Sequence, residues 1–367
     1  VKTRRAMKVV SGAVAILCAA ATLSACGSDS GSASGSDKSA KSGGLTPVTF
    51  AMASPSWNAG YAVMAVVEAE GFYKQEGLKV TTNLFPSATQ AAQQVAGGGA
   101  DLGLMTVEPV AIGHDKDLDL AYFSSYWAKW IYSLQVPDGS DVKSIADLKG
   151  KKIGVSAVAS SGATFARTAL ELNGMSENAA SLVPIGAGAQ QINAIKSGQV
   201  DALALWDIQY QIVKNAGVTL TPLPVKETAD AWGGGFATTR KNLKAKKDVL
   251  ERFGRAVAKA FVFAKANPEA AIRDLWKLHP ETRGSDPEAK ALADGVKVLQ
   301  VRLDGQGFDD KTLGRIDETA FTRSLDFMAS AGLIKKFPAK DVYTDAMFKA
   351  FNDFSYDDVN KQAESAG

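Results

Sequence analysis

One stretch of this chain occurs twice. Gly98-Gly99-Ala100-Asp101-Leu102-Gly103-Leu104-Met105 is echoed by Gly198-Gln199-Val200-Asp201-Ala202-Leu203-Ala204-Leu205. In each copy a Gly precedes an Asp by three residues, a short apolar run follows, and an alanine- and glutamine-rich segment comes before. The pattern predicts a helix closed by Gly, a tight turn, and a buried strand. Gly enters the left-handed region without steric cost, and Asp is expected to bond the turn's own backbone. Pro86 is answered by Pro184 and Gly60 by Gly162. The offset of roughly 100 residues is longer than any solenoid repeat. Two similar α/β lobes are the expectation, with a cleft between them where small ligands bind.

Ahead of the repeats lies an address and a spacer. Lys2, Arg4, Arg5 and Lys8 form a positive head, and Val9 to Leu23 is apolar and rich in small residues. That run is too short to span a bilayer comfortably and has the length of a signal-peptide core. It ends in Leu23-Ser24-Ala25-Cys26, which matches a bacterial lipoprotein signal. Residues 1–25 therefore read as a signal peptide, with Cys26 as the lipidated first residue of the mature chain. An ordinary signal peptide with a chance Cys is the alternative. Thr3-Arg4-Arg5-Ala6-Met7-Lys8 hints at twin-arginine export. Cys18 leaves with the signal, so the mature body keeps no free thiol for disulfides, thiolate catalysis or metal binding. Residues 26–44 hold no apolar side chain larger than Ala beyond Cys26 and read as a flexible tether.

The body begins at Leu45 and is long enough for two lobes with cores of their own. With 41 basic and 39 acidic residues, the whole chain carries no field that favours nucleic acid. Strands are predicted at Pro47–Met52 and Lys79–Phe85, and helices from Tyr61 to about Glu70 and from Ser87 to the first repeat. The second lobe repeats the plan, with strands over Lys152–Val155 and Leu182–Ile185. Its helices run from Ser160 to Leu172 and from Ala189 to Lys196. Beyond Trp232-Gly233-Gly234-Gly235 the pattern turns helical: Lys247–Ala264, Pro268–Leu278, Asp286–Val301, Glu318–Ala331 and Thr344–Phe351. The expected division is lobe one at 45–140 and 235–367, and lobe two at 141–234. The class is α/β with mostly parallel sheets.

Several motifs in order carry a family resemblance. Glu68-Ala69-Glu70-Gly71-Phe72-Tyr73-Lys74-Gln75-Glu76-Gly77-Leu78-Lys79-Val80 resembles the first helix of the nitrate/sulfonate/taurine and thiamine-pyrimidine group of ABC-importer solute-binding proteins. Asp147 to Val155, Ser197 to Ala202, and Asp326-Phe327-Met328 with Gly332-Leu333-Ile334-Lys335-Lys336 fit the same group. The resemblance spans essentially the whole mature chain. It implies a type II periplasmic-binding-protein fold with two crossovers and a cleft that closes. It also implies an extracytoplasmic location, and as partners a small-molecule ligand, a permease and its ATPase subunit. One departure stands out: the family often reads Trp-Glu-Pro where this chain has Trp206-Asp207-Ile208.

Open parallel sheets bind ligands beyond the C-terminal ends of their strands, so the loops there supply the candidates. Ser160, Ser161 and Thr164 sit at a helix N-terminus suited to a carboxylate, sulfonate or phosphate, although N-capping alone would also explain them. Thr89, with Ser87, opens the matching helix of lobe one. Ser56, Trp57 and Asn58 follow the first strand. Trp57, Trp206 and Trp232 fall on loops or strand ends and offer rings for a flat or apolar ligand, against the commoner role of a Trp in the core. Thr106 and Glu108 match Trp206 and Asp207 across the repeat. Paired Glu108 and Asp207 could hold a cation, an amine or ring N–H groups. Solvated carboxylates at helix starts are the plainer alternative.

Catalysis is not expected. His114 and His279 sit in polar turns, and neither a zincin motif nor a phosphate loop occurs. No cofactor and no metal are expected. The reading is a monomeric, lipid-anchored solute-binding protein on the outer face of the cytoplasmic membrane or in the periplasm. The alternative is a ligand-sensing lipoprotein of the same fold with no transport role.

Overall fold

Two five-stranded sheets organise the chain, and their strand orders match when the repeats are superposed. The computed structural model describes residues 44–306 and 311–366. The expected signal peptide, Cys26 and all of the tether except Gly44 lie outside the described residues. Strands β1 (Thr46–Ala53), β2 (Leu78–Phe85), β3 (Leu102–Thr106) and β4 (Leu120–Trp127) precede β5 (Tyr132–Pro137). Then come β6 (Lys152–Val155), β7 (Ser181–Pro184), β8 (Ala202–Trp206), β9 (Leu220–Leu223) and β10 (Gly234–Thr239). The first sheet runs β2-β1-β3-β10-β4 and the second β7-β6-β8-β5-β9.

In each sheet one strand runs against the other four, and it is the strand that has just crossed from the other lobe. β10 is antiparallel to β3 and β4, and β5 is antiparallel to β8 and β9. The remaining neighbours are parallel. The expectation of mostly parallel sheets therefore holds within a mixed α/β fold. Tyr132–Pro137, which the sequence reading left in lobe one, is a strand of the second sheet.

The repeated turn works in a way the sequence did not reveal. Gly98 and Gly198 have φ of 77° and 68°, so each ends its helix in the left-handed region. Asp101 and Asp201, however, reach past their own turns. The Asp101 carboxylate accepts from the Thr49 backbone N–H at 2.8 Å, and the Asp201 carboxylate from Lys152 N–H at 2.8 Å. Each Asp thus ties the third strand of its lobe to the first. Asp101 also pairs with Lys246.

Three apolar cores hold the layers. One packs the outer face of the first sheet against helices Ala62–Ala69, Lys247–Ala266 and Pro268–Leu278. A second runs from Ala51 and Val95 through Leu134, Ile153 and Phe165 to Phe321 and Met328, and so joins both lobes. The third fills the far side of the second sheet around Leu203, Leu205 and Val213. Of the predicted C-terminal helices, Pro268–Leu278 matches residue for residue. The last one shrinks to Phe348–Phe351, followed by the unpredicted helix Tyr356–Ser365.

Candidate functional site

A cavity of about 50 Å³ lies where the strand ends of both lobes converge. From the first sheet come Ala53 ending β1 and Pro55 beyond it, Pro86, Ser87 and Ala88 after β2, Thr106 ending β3, and Trp127 ending β4. From the second come Tyr132 at the start of β5, Ser156, Ser160, Ser161 and Gly162 after β6, and Trp206 ending β8. Gly162 lets its helix sit close against β8 of the same lobe, since a Cβ there would stand 2.5 Å from the Ala204 carbonyl oxygen. Its repeat counterpart Gly60 abuts Ile208 of the other lobe.

Polar contacts cross the cleft. Thr106 Oγ1 and Ser161 Oγ are 3.0 Å apart, one from each lobe, and both residues are buried. Tyr61 and Trp206 face each other with ring centroids 5.5 Å apart. Ser160 caps its helix, accepting from Ala163 N–H and donating to the Ala157 carbonyl at 2.7 Å. Gln209 bonds Ser156 at 3.1 Å at the cavity's second-lobe edge.

Glu108 is the unusual group. It is 4 % exposed, in the first turn of helix Val107–His114, and neither carboxylate oxygen has a hydrogen-bond partner at bonding geometry. Burial lifts its pKa to about 7 against weaker opposing pulls from the Thr106 hydroxyl, its own backbone N–H and the Ser161 hydroxyl. Burial also pushes the Tyr132 phenol far up, with the Glu108 charge adding to the effect.

The expected partner of Glu108 is occupied elsewhere. Asp207 receives two bonds from Arg302, at 2.7 and 3.2 Å, and Arg302 is fully buried. The guanidinium lies 5.5 Å from the Trp127 ring centre and 5.9 Å from that of Trp206. Arg302 comes from helix Glu288–Gly305, which packs against both Ala59–Tyr61 and Asp207–Asn215. Nothing in the local sequence marks it. A basic residue in the last turn of an amphipathic helix reads as a surface charge.

The structure thus brings Thr106, Ser160, Ser161 and Trp206 to the cavity wall, with Glu108 against them. Other candidates lie apart. Trp232 is a correction: it is 1 % exposed, donates to Ser125 Oγ at 2.8 Å, and packs on Tyr122 and Phe321. Trp127, at the end of β4, takes a wall position instead. Thr89 is exposed and away from the cavity, because Ser87 is the cap that turns inward. Thr164 is half-buried one turn into its helix and is not a wall residue. Ser56 is exposed and accepts from Ser54 through its carbonyl. Trp57 stacks on His279 at 4.0 Å, and with Asn58, which caps Gly60, it edges a separate outer groove of about 430 Å³. Among the described residues no cluster of metal-ligating side chains is present, and no helix is long and apolar enough to cross a membrane.

Two lobes with matched sheets, joined by reversed crossing strands around a shared cavity, define a two-lobed solute-binding fold. The profile of the NMT1/THI5 like family matches residues 58–271, and the chain belongs to that family. It is 22 % identical over 295 residues to a riboflavin-binding protein, RibY, of Chloroflexus aurantiacus, covering 79 % of this chain and 82 % of that one. Among solved structures, the alkanesulfonate-binding protein SsuA of Xanthomonas axonopodis pv. citri superposes with a TM-score of 0.60 at 20 % identity. That match covers 82 % of this chain and 99 % of the other. The periplasmic aliphatic sulphonate binding protein SsuA of Escherichia coli gives 0.61 at 18 % identity, over 83 % and 99 %. The relatives are binding proteins, and the fold is that of the periplasmic binding proteins.

Proposed function

We propose that this chain is the lipid-anchored, extracytoplasmic substrate-binding component of an ABC importer. It takes a small organic solute into the cavity between its lobes and delivers it, as a monomer, to a permease driven by a separate ATPase subunit. It performs no chemistry on the solute. The observation that carries this reading is the cavity walled from both lobes and bridged by Thr106 and Ser161. A solute held there would touch both lobes at once. It would therefore favour the closed arrangement over the open one by the difference in its contacts.

The cavity volume bears on the solute. About 50 Å³ is well below the 300 Å³ or more typical of pockets for drug-sized ligands. A larger guest therefore requires the lobes to part, with 45–140 apart from β5, together with 235–367, moving against 141–234 and β5. Sulfonates and riboflavin, named for the relatives, set the range of solutes to test, with nitrate, taurine, aromatic acids and pyrimidines. Lipidation at Cys26 would hold the protein beside its permease.

Thermal unfolding of the purified protein with this panel tests the reading. A solute at about 100 times its dissociation constant stabilises by roughly 2.7 kcal/mol, an upward shift of a few degrees. A shift with one class, lost in Trp206→Ala, is the expected result. No shift with any member, from protein free of bound solute, would contradict it for these solutes.

A further inference from the structure

We infer that Glu108 selects the solute, and that the group it selects is a nitrogen cation, a protonated amine or a charged N-heterocycle. This rests on the solute-binding reading above and narrows it to a ligand class.

Charge accounting at the cavity is the first argument. Among the residues that wall it there is no Lys, Arg or His. Arg302, beside the wall rings Trp127 and Trp206, is fully buried and already neutralised by both oxygens of Asp207. Glu108 is the opposite case: buried, with only hydroxyls and its own backbone N–H near it and no cation facing it. A buried carboxylate without an opposite charge is costly to ionise unless a cation comes to meet it. Thr106 and Ser161, the two hydroxyls that act on it, are themselves cavity walls. The carboxyl thus stands directly behind the surface a solute would touch.

The aromatic walls point the same way. Tyr61, Trp127, Tyr132 and Trp206 all border the cavity. Rings of this kind attract cations through their faces, and two of them already do so for Arg302. The N-terminus of helix Ser161–Leu172 opposes this preference, since it favours an anion. Its partial charge is about half a unit and is met in part by the Ser160 cap, whereas ionised Glu108 carries a full negative charge. That helix end suits an acceptor on the same solute.

The pH dependence of binding distinguishes the two signs of charge. The groups that act on Glu108 are the Thr106 and Ser161 hydroxyls and its own backbone N–H, and it acts in turn on the Tyr122 and Tyr132 phenols. Both phenols stay neutral through the range that matters, because burial raises them well above their ordinary value. A cation binds the ionised carboxylate, so its affinity rises from pH 6 to 8. An anion needs the protonated acid as a donor, so its affinity falls over the same interval.

Three probes that share one ring test this: benzylamine, benzyl alcohol and benzenesulfonate, titrated calorimetrically into the full-length protein at pH 6 and 8. The inference predicts that benzylamine binds at least tenfold tighter than the other two at pH 8, and several-fold tighter at pH 8 than at pH 6. Glu108→Gln, with folding checked by circular dichroism, should abolish both the preference and the pH dependence. The wild-type pH profile stands on its own if the variant folds poorly. Preference for benzenesulfonate, or affinity falling with pH, would overturn the inference and leave the solute-binding reading intact. Binding of none of the three would also overturn it, and the wider solute panel would then judge the parent reading separately.

Discussion

Arg302 and Asp207 form a two-pronged ion pair, Nη2 to Oδ1 at 2.7 Å and Nη1 to Oδ2 at 3.2 Å. It ties helix Glu288–Gly305 to the start of helix Asp207–Asn215 in the second lobe. The Arg302 side chain has no exposure, so removing its partner strands a buried charge. Asp207→Asn should therefore destabilise the protein by about 3 kcal/mol in urea unfolding. Adding Arg302→Met to Asp207→Asn should recover most of that loss, because it removes the buried charge that the single substitution strands. A double variant no more stable than the single one would mean that the pair's geometry, and not the stranded charge, matters.

Stability should fall as pH rises from about 5 to 7.5. The carboxyls of Glu108 and Asp274 both have pKa values raised to about 7, chiefly by burial. A carboxyl with a folded pKa above its unfolded one binds more protons in the native state, so its contribution is lost between the two values. For fully buried Glu108 the loss is at most about 3 kcal/mol. Glu108→Gln should flatten much of the slope in denaturation midpoints between pH 5 and 8. An unchanged slope would place the proton uptake elsewhere.

Glu76 has the opposite sign. Burial would raise its pKa, but hydrogen bonds and charges from Arg255 and Lys259 together hold it below the ordinary carboxylate range. The contacts are 2.9 Å to Arg255 and 2.6 Å to Lys259. Its stabilisation is present above the unfolded pKa and is lost as pH falls through the folded one. Glu76→Gln should cost about 3 kcal/mol at pH 7 and much less near pH 3, measured by guanidinium unfolding. An equal cost at both pH values would contradict the electrostatic account.

Gly162→Ala tests how closely the lobe-two helix must approach its sheet. The added methyl would meet the Ala204 carbonyl at 2.5 Å, backbone that has no rotamer to move. A loss of about 2 kcal/mol in stability is expected, together with weakened solute binding, since Gly162 is a cavity wall. Wild-type stability and affinity would mean the helix shifts freely.

Much of the fold was legible because the repeats carry backbone chemistry in their letters. A Gly that stops a helix and an apolar run that fills a strand announce themselves locally, and their recurrence implied two like lobes. Cavity-wall positions followed from strand ends, which is why Thr106, Ser161 and Trp206 were named. What stayed hidden depends on facing. Trp232 and Trp127 both lie on or next to strand ends, and only packing decides that one ring joins Phe321 and the other the cavity. Ser87 and Thr89 open one helix, and the helical turn alone separates inward from outward. Arg302 could not be foreseen at all, because its partner is 95 residues away.

A crystal structure of the protein grown with a solute that raises its melting temperature tests the central claim most directly. The account predicts density bounded by Thr106, Ser161 and Trp206, with both lobes in contact with the guest. Density in the outer groove beside Trp57 and Asn58, with the inner cavity unchanged, would contradict it.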